Sequence, residues 1–76
     1  MKIEEAISLI LSEVASQDEQ PWSADLVTAS AVVIKDAGEL VKTTLNKDNN
    51  QQIAAKAIYT AASAIRFLKH LNMEVK

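Results

Sequence analysis

Apolar residues recur at helical spacing in three stretches of the chain, separated by two polar breaks. In the first stretch Ile3, Ile7, Ile10, Leu11 and Val14 fall at i, i+4, i+7, i+8 and i+11, which predicts a helix near 3–15. Glu4 and Glu5 lie in its first turn, where the helix dipole favours anions. The segment Ser16-Gln17-Asp18-Glu19-Gln20-Pro21-Trp22 ends it, because Gln20 precedes a proline and is biased out of the helical region. A second helix is expected near 23–45, with Ser23 as N-cap and Asp25 in the first turn. Its apolar positions are Leu26, Ala29, Val33, Ala37, Leu40 and Val41, flanked by Val27, Ala31, Ile34 and Leu45. The run Asn46-Lys47-Asp48-Asn49-Asn50 breaks it, and a third helix near 50–71 takes Asp48 or Asn49 as cap. Polar residues on that helix, Gln52, Lys56, Tyr59, Ser63, Arg66 and His70, are spaced 4, 3, 4, 3, 4. They predict one polar seam, with Ala54, Ile58, Ala61, Ile65 and Leu68 forming an apolar face opposite.

The fold class that follows is all-α: a single domain over 1–76, built as a three-helix bundle and completed by oligomerisation. At 76 residues the core is thin, since a domain of this size buries only about 60% of the surface its extended chain exposes. The apolar stripe of the second helix is wider than one partner helix can cover, so a homo-oligomer, dimer or tetramer, is expected. Gly38 stands mid-helix, at a cost of about 1 kcal/mol relative to Ala. A close helix crossing or backbone access to a ligand is the compensation expected there.

Composition narrows the function classes. One Gly and one Pro are too few for the tight turns of an all-β fold. The absence of cysteine excludes disulfides, a thiol nucleophile and a Cys-based zinc site. The longest uncharged runs of the two later helices, Leu26–Ile34 and Ala57–Ile65, are far short of the ~20 apolar residues of a membrane span. The opening Met1-Lys2-Ile3-Glu4-Glu5 has no signal-peptide apolar stretch, so a cytoplasmic location is expected. A net charge of −2 argues against nucleic-acid binding, which needs a basic field. The charge is uneven: residues 1–20 are acidic and 49–76 basic, a polarity suited to steering helix pairing within or between chains.

Few residues suggest chemistry. Asp36 and Glu39, three apart, share a helix face and suit a Mg²⁺ ion that keeps several waters. The plainer reading is a solvated face with a weak Lys35–Glu39 pair. His70 is the only histidine and sits in the last turn of its helix beside Lys69, where a cation suits the dipole. Trp22 and Tyr59 offer faces on which a nucleobase could stack, or they cap a small core. Nothing resembles a catalytic triad, a GxGxxG loop or a P-loop.

Three segments taken in order resemble the small phage-borne MazG-like proteins, over roughly residues 16–69. Gln17-Asp18-Glu19-Gln20-Pro21-Trp22 is similar to their "RQDxxW" segment. Ala31-Val32-Val33-Ile34-Lys35-Asp36-Ala37-Gly38-Glu39-Leu40-Val41 is similar to "ILAEEAGELV", and Ala57-Ile58-Tyr59-Thr60-Ala61-Ala62-Ser63-Ala64-Ile65-Arg66-Phe67-Leu68 to "AIQVAAMAIRFL". The resemblance implies an all-α nucleoside triphosphate pyrophosphohydrolase fold that assembles as dimers or tetramers. It also implies acids, EExxE on one helix and ExxD or ExxQ on the next, holding Mg²⁺ against a triphosphate. Here the first element falls on Lys35, Asp36 and Glu39, and the second on Lys56 and Tyr59. An ammonium has no lone pair to offer, and a phenol is a poor ligand for a hard cation at neutral pH. Lys56 is expected to pair with Asp36 or Glu39 across the helices.

The function expected is therefore that of a MazG-like helical protein of phage or mobile-element origin. Its Mg²⁺ site is lost, and it acts by binding a nucleotide or a host protein through residues such as Lys35, Lys56, Tyr59 and Trp22, in an anti-defence or regulatory role. Asp36 and Glu39 are then vestigial metal positions, and no cofactor is expected. Two alternatives stand beside it: an active Mg²⁺-dependent pyrophosphohydrolase whose missing acids come from a partner subunit, and a purely structural oligomerisation module.

Overall fold

A computed structural model describes residues 1–21 and 25–71. They form three helices and no strands: α1 (Ile3–Gln17), α2 (Leu26–Leu45) and α3 (Asn50–His70). The arrangement is all-α, as the periodicity predicts. The third helix is the centre of the molecule. Both α1 and α2 pack on it, and among the described residues they do not approach each other.

Local chemistry sets the helix ends. The α2 cap is Asp25 and not the expected Ser23, which lies outside the described residues. The Asp25 carboxylate accepts from the Val27 amide at 3.2 Å and from the Thr28 hydroxyl at 2.7 Å, so it supplies the acceptor that an N-terminal turn needs. Those two donors hold its carboxyl below the ordinary value, the Thr28 hydroxyl contributing most. On α3 the expected Asn49 is the cap, accepting from the Gln52 amide at 2.9 Å. The first helix runs two residues further than the pattern suggests, to Gln17, and the Gln17 side chain donates back to Glu13 at 3.1 Å.

Between α2 and α3 the chain turns at Lys47, whose φ of 56° is left-handed. Its amide donates to the Thr44 carbonyl at 3.0 Å and the Asp48 amide to the Thr43 carbonyl at 3.2 Å. These are the paired bonds of a left-handed helix C-cap, a place where glycine is usual. A lysine there carries backbone strain of about 1 kcal/mol.

The core consists of small side chains. Val14, Ala29 and Ala62 are its buried apolar residues, and Thr43, Ser63 and Arg66 its buried polar ones. Thr43 and Ser63 turn their hydroxyls back onto the Glu39 and Thr60 carbonyls of their own helices, at 2.7 and 3.0 Å. Both can then be buried with no polar partner from a neighbouring element. The expected polarity of α3 is partly inverted. Ser63 and Arg66 of the polar seam are buried, whereas Leu68 of the apolar face is 63% exposed. A helix flanked by two neighbours has a buried arc too broad for a one-sided pattern to place.

On α1 only Ile10 and Val14 of the stripe turn inward, and Ile3, Ile7 and Leu11 stay exposed. On α2, Ala29, Val33, Asp36, Leu40 and Thr43 occupy the covered side. Val27, Ile34, Val41 and Leu45 are each more than half exposed. The accessible surface is 5809 Å².

Candidate functional site

Two clusters of polar side chains link the helices. The first was singled out by sequence, on α2 and α3. Asp36 is half-buried on the α3-facing side of α2, while Lys35 and Glu39 are exposed. On α3, Lys56 is half-buried and Tyr59 is 39% exposed. Lys56 does not form the expected ion pair with Asp36 or Glu39; no such pair occurs among the described residues. Its Nζ lies 5.8 Å from the centroid of the Tyr59 ring one turn along the same helix, a weak cation–π contact.

Only residues 46–49 join α2 to α3, so the two packed helices run antiparallel. Of the two expected acids, Glu39 is exposed and Asp36 half-buried, and the Lys56 ammonium lies by the Tyr59 ring of its own helix. Trp22, the other expected contributor, lies outside the described residues.

These residues do not fit a Mg²⁺ site. Two carboxylates from one helix are the whole acidic complement, and the facing positions present an ammonium and a phenol. Among the described residues no three acidic or histidine side chains group closely enough to hold a metal. Glu39 is exposed on α2, and Asp36 is half-buried beside α3.

The second cluster joins the chain after α1 to the C-terminal half of α3. The Arg66 Nε donates to Asp18 Oδ1 at 2.9 Å and its Nη2 to the Gln20 carbonyl at 3.0 Å. Lys69, one turn on, bonds the other Asp18 oxygen. The guanidinium is nearly buried and Lys69 is about half exposed. Asp18 is held below its ordinary value of 3.8, first by the hydrogen bond from Lys69; burial opposes this next, and the bond from Arg66 adds to the lowering. At the end of α3 the His70 Nδ1 lies 2.9 Å from the Arg66 carbonyl one turn back.

Helical spacing placed Arg66 on a polar seam opposite the apolar face and missed this junction. The signal was present in the acidic start, the basic end and the Arg66–Lys69 spacing of one turn. What could not be read was which acid would meet them, 48 residues away.

Beside these clusters runs an open apolar groove of about 410 Å³, lined by Ser30, Val33, Ile34, Ala64, Phe67 and Leu68. The Ser30 hydroxyl donates to the Val27 carbonyl at 2.8 Å, so the groove wall offers no free donor to a ligand. No helix among the described residues is long and apolar enough to cross a membrane.

No family model, curated protein or solved structure matches the chain.

Proposed function

We propose that this chain is a MazG-like helical protein, of phage or mobile-element origin, that has lost its Mg²⁺ site and acts in the bacterial cytoplasm by binding. The observation that carries the reading is the placement of Lys56 and Tyr59. They stack on each other where the resemblance calls for acids, and they leave Asp36 and Glu39 without a facing ligand. Asp18, from the segment similar to "RQDxxW", and Arg66, from the segment similar to "AIQVAAMAIRFL", are bonded to each other.

For the ligand, the groove favours a protein surface over a nucleotide. Its walls are aliphatic and aromatic, and a triphosphate needs donors that they lack. The protein works as a homo-oligomer in this reading, because Val27, Ile34, Val41 and Leu45 of α2 are left exposed along one side of the helix.

The test is a pyrophosphate-release assay across nucleoside triphosphates with Mg²⁺, paired with a thermal-shift panel of nucleotides. Neither release nor a shift is expected. A ligand at 100 times its dissociation constant stabilises the native state by about 2.7 kcal/mol, so binding would be visible. The triple variant Lys35→Glu, Lys56→Glu, Tyr59→Asp should gain Mg²⁺ affinity and lose stability without the metal, since like charges then crowd one face. Robust Mg²⁺-dependent release by the unaltered protein would restore the reading as an active pyrophosphohydrolase.

A further inference from the structure

The outward side of α2 carries a pattern that the fold leaves unused. Val27, Ala31, Ile34, Gly38, Val41 and Leu45 follow one another at spacings of 4, 3, 4, 3 and 4, and all six are exposed. This is the seam of a coiled coil, and it lies almost diametrically opposite the side that packs on α3. Nothing within the protomer accounts for Gly38. An added Cβ there would meet no atom within 4 Å, so the close crossing that a mid-helix glycine suggests is absent from the single chain.

The seam is its own complement. Reversed end for end about its middle, it sets Ile34 against Gly38, Val41 against Ala31 and Val27 against Leu45. Those are the layers an antiparallel pair of helices forms, with a large side chain facing a small one in the two central pairs. A two-fold axis uses the same patch on both copies and needs this kind of self-complementarity. A parallel pair would instead stack Gly38 on Gly38 and leave a void at the centre of the interface.

We infer that α2 pairs with α2 of a second copy, antiparallel about a two-fold axis near residue 36, with Ile34 of each chain seated over Gly38 of the other. The exposure agrees: Val27, Ile34, Val41 and Leu45 are each more than half exposed, and one antiparallel partner helix covers all four. The Lys35 side chains of the two copies flank the axis, so salt should tighten the pair by screening them. This inference rests on the reading that the chain self-associates, and it is independent of what the Asp36–Glu39 surface does.

The chain contains no cysteine, so engineered thiols report without background. Protein carrying Ala31→Cys is mixed with protein carrying Val41→Cys under mild oxidation. The antiparallel pair should give the mixed covalent dimer at least tenfold faster than either variant alone. Faster linkage within one variant would overturn the orientation. Sedimentation adds two further variants. Ile34→Glu should raise the dimer dissociation constant at least 100-fold, since each change acts twice across the axis. Gly38→Leu adds apolar surface and helix propensity, yet it should weaken the dimer at least tenfold by filling the notch. A dimer that Gly38→Leu tightens, or that Ile34→Glu leaves intact, lies on another face, such as Ile3, Ile7 and Leu11 of α1. That result would overturn this interface and keep self-association. A clean 8.3 kDa monomer of the unaltered protein at high micromolar concentration would overturn both. Should Ile34→Glu fail to fold, the thiol pairing decides alone.

Discussion

Acids and bases face each other across helices at two places in this molecule, and only one of them forms bonds. At the end of α1, Asp18 receives Arg66 and Lys69 together, and Arg66 also holds the Gln20 carbonyl. On α2, Asp36 and Glu39 lie across from a helix that carries Lys56, and no ion pair results. The difference is one of position along the helix. Asp18 caps a helix end, where the chain leaves the axis and can turn toward α3. Lys56 stands within a rigid helix, and its flexible stem lies by Tyr59 of the same helix. Opposite charges on neighbouring helices therefore predict proximity poorly unless one of them sits where the backbone can adapt.

The sharpest way to break this comparison is to truncate one base from each cluster. Arg66→Ala removes a nearly buried guanidinium with its hydrogen bonds and its packed stem, and it should cost about 2–3 kcal/mol in urea denaturation. A cost below about 1 kcal/mol would mean that the junction is ornamental.

Acid should reveal the same junction from the other partner. The folded carboxyl of Asp18 is held below its ordinary value of 3.8, so the unfolded chain binds the proton more readily. Its contribution is complete above that ordinary value and is lost as pH falls below it toward the folded value. Asp18→Asn should therefore flatten the acid limb of a stability–pH curve below about pH 4 and lower the plateau at neutral pH. A limb unchanged by the substitution would assign the loss to other carboxylates, with Asp25, also held low, as the next to examine.

The smallest effect belongs to the unpaired cluster. Lys56→Ala should change stability by no more than about 0.5 kcal/mol, because it gives up only an exposed cation–π contact. A loss comparable to that of Arg66→Ala would show that Lys56 has a partner in solution, and the contrast between the clusters would collapse.

Much of the fold could be read from the pattern of side chains. Three helices, the break at 46–50 and the Asn49 cap follow from local chemistry and are found where it puts them. The cap of α2 shows the limit, since Ser23 and Asp25 are both good N-caps and composition alone cannot rank them. The strained turn at Lys47 was hidden among asparagines that adopt left-handed backbone more readily. The candidate site was legible as a set of residues but not as a geometry. Helical spacing places Asp36, Glu39, Lys56 and Tyr59 on their own helices, while their relation depends on a register between helices that spacing does not contain. Ser63 and Arg66 went to the wrong side for the related reason that α3 has two neighbours.

Because α1 and α2 each rest on α3 and not on each other, the molecule assembles in unequal steps. The α2–α3 hairpin closes across a turn of a few residues, so its contacts are local and cost little chain entropy to form. The first helix has no such shortcut. It must find α3 across the whole hairpin, and it is held there by Val14, a half-buried Ile10 and the bonds from Arg66 and Lys69. Docking of α1 is thus expected to come late in folding and its release early in unfolding, and its amides should exchange ahead of those in the hairpin. A chain that has let go of α1 keeps a helical hairpin but bares the polar line of Ser63 and Arg66, so Asp18 acts as the latch between two states of order.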